Sequence, residues 1–157
     1  MLKYTGLLLI FLTPVIYGYR RAQKYKSELS FLKSAYDFSK HLYSSVEYMN
    51  MSTEEIVNSF RCENPDFSEV LSLLSKSSYG QAYLDDLCPP GDARSAIEEM
   101  LSKTGKVSKE ELCSIARGCS AALECEYEAK KIVTAQKYKS NLVFGIASGA
   151  MLVILFI

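Results

Sequence analysis

Two uncharged apolar runs, Gly6 to Tyr19 and Leu142 to Ile157, stand near opposite ends of this chain, and every charged residue except Lys3 lies between them. A run without charge wants burial in protein or in lipid. If helical, each covers about 21–24 Å. That is short of a hydrocarbon core of about 30 Å, so Tyr4, Tyr138 and Lys139 at the flanks would complete a span by anchoring at the interface. Terminal placement with tyrosine and lysine flanks suits a membrane better than burial in a soluble core. A cleaved leader is disfavoured at the N-terminus, because Ile16-Tyr17-Gly18 offers no small residue three before a cleavage point and Arg20-Arg21 follows at once. An uncleaved anchor is expected, with Pro14 tolerated inside it.

The second run continues backwards into a longer pattern. Ser108-Lys109-Glu110-Glu111 has the form of a capping box. After it, Leu112, Ile115, Ala116, Cys119, Ala122, Leu123, Ala129, Ile132 and Val133 keep the three-four spacing of an amphipathic helix. No proline interrupts the stretch, and Gly118 alone weakens its first half. The pattern predicts one helix from Ser108 to the end, about 75 Å long, of which part must leave a soluble body.

Charge sets the expected topology. Arg20, Arg21, Lys24 and Lys26 follow the first run, and Lys130, Lys131, Lys137 and Lys139 precede the second. By the positive-inside rule these clusters place residues 20–139 in the cytoplasm, between spans at 1–19 and 140–157. The formal net charge is zero. Yet from His41 to Glu128 seven basic residues face sixteen acidic ones, a net of −9. An acidic domain argues against nucleic acid as a partner and allows steering of a basic protein.

Between the long helices the chain reads as short ones. Leu29, Leu32, Ala35, Phe38 or Ser39, Leu42, Val46 and Met49 continue the first span as a helix, with Tyr25, Tyr36, Tyr43 and Tyr48 expected at the rim of a core. Ser52-Thr53-Glu54-Glu55 is a second capping box, opening a helix that turns Ile56, Val57 and Phe60 inward. Asn64-Pro65 starts another, with Phe67, Val70, Leu71 and Leu74 as its core face. Gln81 to Leu87 reads as a short helix stopped by Pro89-Pro90-Gly91. Asp92 is the expected cap of a helix that buries Ala96, Ile97, Met100 and Leu101 and ends at Gly105 in the left-handed region. Strand signals are absent. The expected fold is therefore all-α: a six-helix cytoplasmic bundle whose long first and last helices run antiparallel and continue into the two spans.

Catalytic patterns are missing. There is no glycine-rich phosphate loop, no Gly-x-Ser-x-Gly and no His-Glu-x-x-His, and His41 is the only histidine. It reads as a surface or half-buried helix residue rather than a pH sensor. The pairs Asp85-Asp86, Glu98-Glu99 and Glu110-Glu111 are neighbours that point about 100° apart on a helix, so they are no acid/base dyads. Cys62, Cys88, Cys113, Cys119 and Cys125 are odd in number and lack a Cys-x-x-Cys, which argues for reduced thiols. The sixfold spacing of the last three turns successive thiols about 120° apart, so they cannot converge on a metal. Neither enzyme activity nor a cofactor or metal is expected. Two binding features remain. Gly145-x-x-x-Gly149 permits close approach of another helix, either the first span or a second copy, against the alternative of plain lipid exposure. Glu98 and Glu99, on a short helix of the acidic region, are candidates to face a partner.

The order of several features resembles the stage III sporulation protein AB family. They are Met1-Leu2-Lys3 with Gly6, the Arg20-Arg21-x-x-Lys24-Tyr25 exit, Tyr48, and Tyr138-Lys139-Ser140 followed by Phe144-Gly145-x-x-x-Gly149 and an aliphatic tail. Met51-Ser52-Thr53 stands where that family has Pro-Leu. The resemblance implies a protein similar to the F-type platform component of type II secretion and type IV pilus machines, in the mother-cell membrane around a forespore. It also implies a channel complex, with other membrane proteins and a cytoplasmic secretion-type ATPase as partners. No catalytic residue carries over. A membrane-anchored scaffold or division protein unrelated to secretion would share the same layout, without dependence on an ATPase.

Overall fold

The computed structural model describes residues 2–49, 51–75, 88, 91 and 93–156. Among them every regular element is helical. Helix α1 runs Leu2–Ser44 and loosens into a π-turn, Ser45–Met49. Then follow α2 (Thr53–Ser59), α3 (Pro65–Ser75), α4 (Arg94–Lys103) and α5 (Lys109–Phe156). The helix expected at 81–87 lies outside the described residues, as does Asp92. The chain divides into two compact units: residues 29–129 form one, and residues 1–28 with 130–157 form the other.

The 29–129 unit is a helical bundle around one apolar core. Helix α1 supplies Phe31, Leu32, Ala35, Phe38 and Leu42, the π-turn Val46, and α5 Leu112, Ala116, Cys119 and Leu123. The short helices close it with Ile56, Val57, Phe67, Val70, Leu71, Ile97, Met100 and Leu101. This follows the spacing in the sequence, with one change of phase. The π-turn inserts extra backbone per turn, so Ser45 and Val46 stay inside while Tyr48 and Met49 swing outward. Met51 packs on the core instead. Tyr36 and Tyr43 sit at the rim as expected.

Local signals set the starts and stops. At α2 the Ser52 N–H donates to Glu55 Oε2 at 2.8 Å, and the Glu55 N–H donates back to Ser52 Oγ at 3.4 Å. These bonds, first from the Ser52 N–H and then from its hydroxyl, hold the Glu55 carboxyl below its ordinary value. A depressed folded value stabilises above the usual carboxylate range and is lost as pH falls through it. Glu55→Ala is therefore expected to lower the melting temperature at pH 7 and to flatten its decline toward pH 3. Thermal melts across that window check it, and parallel curves would count against the cap. At α3 the Phe67 N–H donates to Asn64 Oδ1 at 3.0 Å. At α4 the cap position is Ala93, and the bond that replaces a side-chain cap comes from far along the chain: the Ala93 N–H donates to Glu126 Oε2 of α5 at 2.6 Å. Helix α4 ends as expected, with Gly105 at φ 80°. At α5 the Glu111 N–H donates to Ser108 Oγ at 3.3 Å, while the Glu111 carboxylate lies 3.3 Å from Lys103 Nζ.

The other unit pairs the first part of α1 with the last part of α5. Among the described residues no helix is long and apolar enough to cross a membrane, so the spans expected at 1–19 and 140–157 are not found there. Within the described part of α5, Lys137, Lys139 and Asn141 stand at the inner end of the apolar run. The apolar stripe expected on α5 also stops early, since Ile132 and Val133 are exposed. Nine residues at 100° each put Ile132 half a turn away from Asn141, on the side opposite the helix contact.

Candidate functional site

Glycines govern the helix pair of the terminal unit. A Cβ on Gly145 would meet the Pro14 carbonyl oxygen at 3.0 Å, and one on Gly149 would meet the Phe11 carbonyl oxygen at 3.0 Å. A Cβ on Gly18 would come within 2.8 Å of the Asn141 carbonyl oxygen and 3.2 Å of Gly145 Cα. The pairing runs 11 with 149, 14 with 145 and 18 with 141, so the two segments are antiparallel. Backbone thus lies against backbone, the close approach that small residues at four-residue spacing allow. Gly18 was not singled out from sequence. Pro14-x-x-x-Gly18 on α1 carries the same i, i+4 spacing as Gly145-x-x-x-Gly149, and that was the available signal.

Away from the basic residues at 20–26 and 130–139, the outer surface of this unit carries large apolar side chains. Leu12, Ile16, Val143, Phe144, Ile146, Met151 and Ile154 are exposed, Phe144 at 71% and Ile154 at 75%. Small residues inside and large apolar residues outside invert the usual order of a protein in water.

In the 29–129 unit the carboxylates Glu98 and Glu99 differ. Glu98 Oε1 accepts from Arg94 Nε at 2.7 Å and is partly buried, whereas Glu99 is exposed. A groove of about 350 Å³ runs where the end of α1 meets the start of α5, lined by Tyr43, Glu47, Lys109, Glu110 and Arg117 among others. Its cations are engaged locally: Arg117 Nη2 donates to Tyr43 Oη at 2.6 Å, and Lys109 Nζ donates to the Glu47 carbonyl at 3.3 Å.

His41 Nε2 lies 3.0 Å from Ser59 Oγ, and the Ser59 hydroxyl is within hydrogen-bond distance of the Ile56 carbonyl at 3.0 Å. No group of three His, Cys, Asp or Glu side chains among the described residues could hold a metal ion. No disulfide joins the five cysteines. Burial, then the charge of Glu99, pushes the Cys119 thiol up from 9.0 to about 12. A raised folded value favours the folded state, an advantage lost between about pH 9 and 12. Since the thiolate is the nucleophile, iodoacetamide at pH 8 is expected to label exposed Cys125 and to spare Cys119 and Cys88 until the chain unfolds. Mass mapping of the adducts checks this, and early labelling of Cys119 would refute it.

Comparison of the chain with models of protein families, with curated proteins and with solved structures finds no match.

Proposed function

We propose that this protein is a two-anchor membrane platform: the terminal helix pair lies in the bilayer, and a six-helix cytoplasmic bundle over 20–139 recruits a partner. The inverted surface of the terminal unit carries the reading, with Gly18, Gly145 and Gly149 at the helix contact and Phe144 and Ile154 outside. In lipid, small residues let helices pack closely while large side chains meet acyl chains at no cost. The short apolar runs would be completed by tyrosine and lysine anchors, and the basic residues at 20–26 and 130–139 favour the cytoplasmic face for the bundle.

On the resemblance drawn from sequence, the partner is a secretion-type ATPase and the setting is the channel complex between mother cell and forespore. The protein's part is then mechanical, coupling the ATPase to the membrane-embedded apparatus. The acidic balance of the bundle supports a basic face on that partner. Two measurements test the reading. The full chain should remain with membranes through alkaline carbonate washing, and release by that wash would refute the anchors. The detergent-solubilised chain should capture the ATPase saturably, and Glu99→Lys should weaken capture about tenfold by placing like charges across the contact. Glu98→Lys is the less clean probe, because it also breaks the pair with Arg94. Membrane retention without any capture would favour the unrelated scaffold.

A further inference from the structure

The terminal unit holds a cleft of about 360 Å³ between its two helices. Gly18 and Gly145 line it with bare backbone, so the helices meet beneath it while Tyr17 and Phe144, both exposed, flank it. Its polarity is graded along the helices. At one end stand Arg21 and Asn141, and at the other Pro14 and Ser148, whose hydroxyl is already bonded to the Gly145 carbonyl at 3.1 Å.

The polar end is built for an anion. The Arg21 guanidinium donates to the hydroxyls of Tyr25 and Tyr17, and these contacts orient it. Asn141 Nδ2 donates one N–H to the Lys137 carbonyl at 2.8 Å. The amide nitrogen has a second N–H to offer. A guanidinium beside an amide donor, with an apolar channel leading away, matches a phosphodiester that carries an acyl chain.

We propose that this cleft binds one anionic phospholipid, the phosphate held by Arg21 and Asn141 and an acyl chain laid over the Gly18–Gly145 contact beside Phe144. The proposal rests on the membrane reading. On that reading the cleft sits at the cytoplasmic boundary, where anionic headgroups are found.

The test is native mass spectrometry of the full chain in detergent, titrated separately with phosphatidylglycerol, phosphatidylcholine and glycerol 3-phosphate. One saturable phosphatidylglycerol adduct is expected, with phosphatidylcholine and glycerol 3-phosphate each about tenfold weaker. Arg21→Gln should weaken the phosphatidylglycerol adduct about tenfold, while Arg20→Gln, one residue away and outside the cleft, should change it less than about twofold. Equal losses in the two variants would mean diffuse attraction and overturn the site. So would glycerol 3-phosphate binding as tightly as the lipid, or no preference between the two lipids. Carbonate extraction separates the two levels: release of the chain refutes anchor and lipid site together, and retention without a lipid preference refutes the lipid site alone. Arg21 is exposed, so the variant is expected to keep its fold, with unchanged circular dichroism as the control.

Discussion

Gly18→Ala is expected to speed amide hydrogen exchange about thirtyfold across 11–21 and 141–149 while leaving the 29–129 bundle unchanged. The added Cβ would fall 2.8 Å from the Asn141 carbonyl oxygen and 3.2 Å from Gly145 Cα. Both are backbone atoms, so no rotamer change relieves the clash and the helices must separate. Overpacking of this kind costs about 1–3 kcal/mol, and a local opening that is about 2 kcal/mol easier exchanges about thirtyfold faster. The effect should stay local because the substitution touches only the terminal unit. Exchange of the full chain, read by mass spectrometry of peptides, gives the answer, and unchanged rates at 141–149 would mean the glycine contact does not hold the pair.

Two other glycines calibrate this expectation. A Cβ on Gly149 would meet the Phe11 carbonyl oxygen and the Phe11 ring, both at 3.0 Å. Only the ring can turn aside, so Gly149→Leu should also weaken the contact. Gly118 lies in α5 with nothing within 4 Å of a built Cβ. There alanine gains helix propensity without a clash, and stabilisation by about 1 kcal/mol is expected. Replacing glycine is thus expected to weaken the contact at 18 and 149 and to stabilise at 118, decided by what stands opposite.

The bundle was legible where a local rule and the core agreed. Ser52 with Glu55, Asn64 before Pro65, and Gly105 each mark a boundary through a bond or dihedral within a few residues, and the structure places each one there. Ile97, Met100 and Leu101 are buried because their spacing matches one face of a single helix. Two boundary features escaped for lack of such a local signal. The π-turn changes phase without any proline or glycine to announce it, so Met49 was assigned a place that Met51 takes. The N–H of Ala93 is satisfied by Glu126, thirty-three residues along the chain, a contact no window of sequence contains.

The terminal unit shows the complementary lesson. Hydropathy measures how apolar a stretch is, and by that measure the described parts of α1 and α5 fall short of a span. Which side of a helix its apolar residues occupy is a separate property. Asn141, Gly145 and Gly149 recur every four residues on one side of α5, and Phe144, Met151 and Ile154 lie off it. The Gly-x-x-x-Gly spacing alone could not choose between a contact with α1, a second copy or lipid. Within one chain, the choice falls to Pro14 and Gly18, whose own four-residue spacing supplies the facing surface.

Phe67→Ala is expected to destabilise the bundle by about 3–5 kcal/mol, the range for removing a fully buried aromatic side chain. Phe67 is wholly buried and stands edge-on to Phe31, with ring centroids 5.3 Å apart, and 5.8 Å from Phe38. Both partners lie on α1, so this one side chain from α3 accounts for two aromatic contacts between the helices. Its backbone is held as well, because its N–H is the donor that Asn64 caps. The neighbouring helices cannot close the gap without dragging that cap, which favours a cavity over collapse. A small domain is stable by only about 5–15 kcal/mol in total, so the loss should shift a urea transition followed by circular dichroism well toward lower denaturant. Phe60→Ala is the comparison. Phe60 stands edge-on to Phe38 at 5.2 Å but is only partly buried just past the end of α2, so less area returns to water and less of a cavity forms. A loss at Phe67 no greater than at Phe60 would mean that α3 is not seated on α1 through this ring.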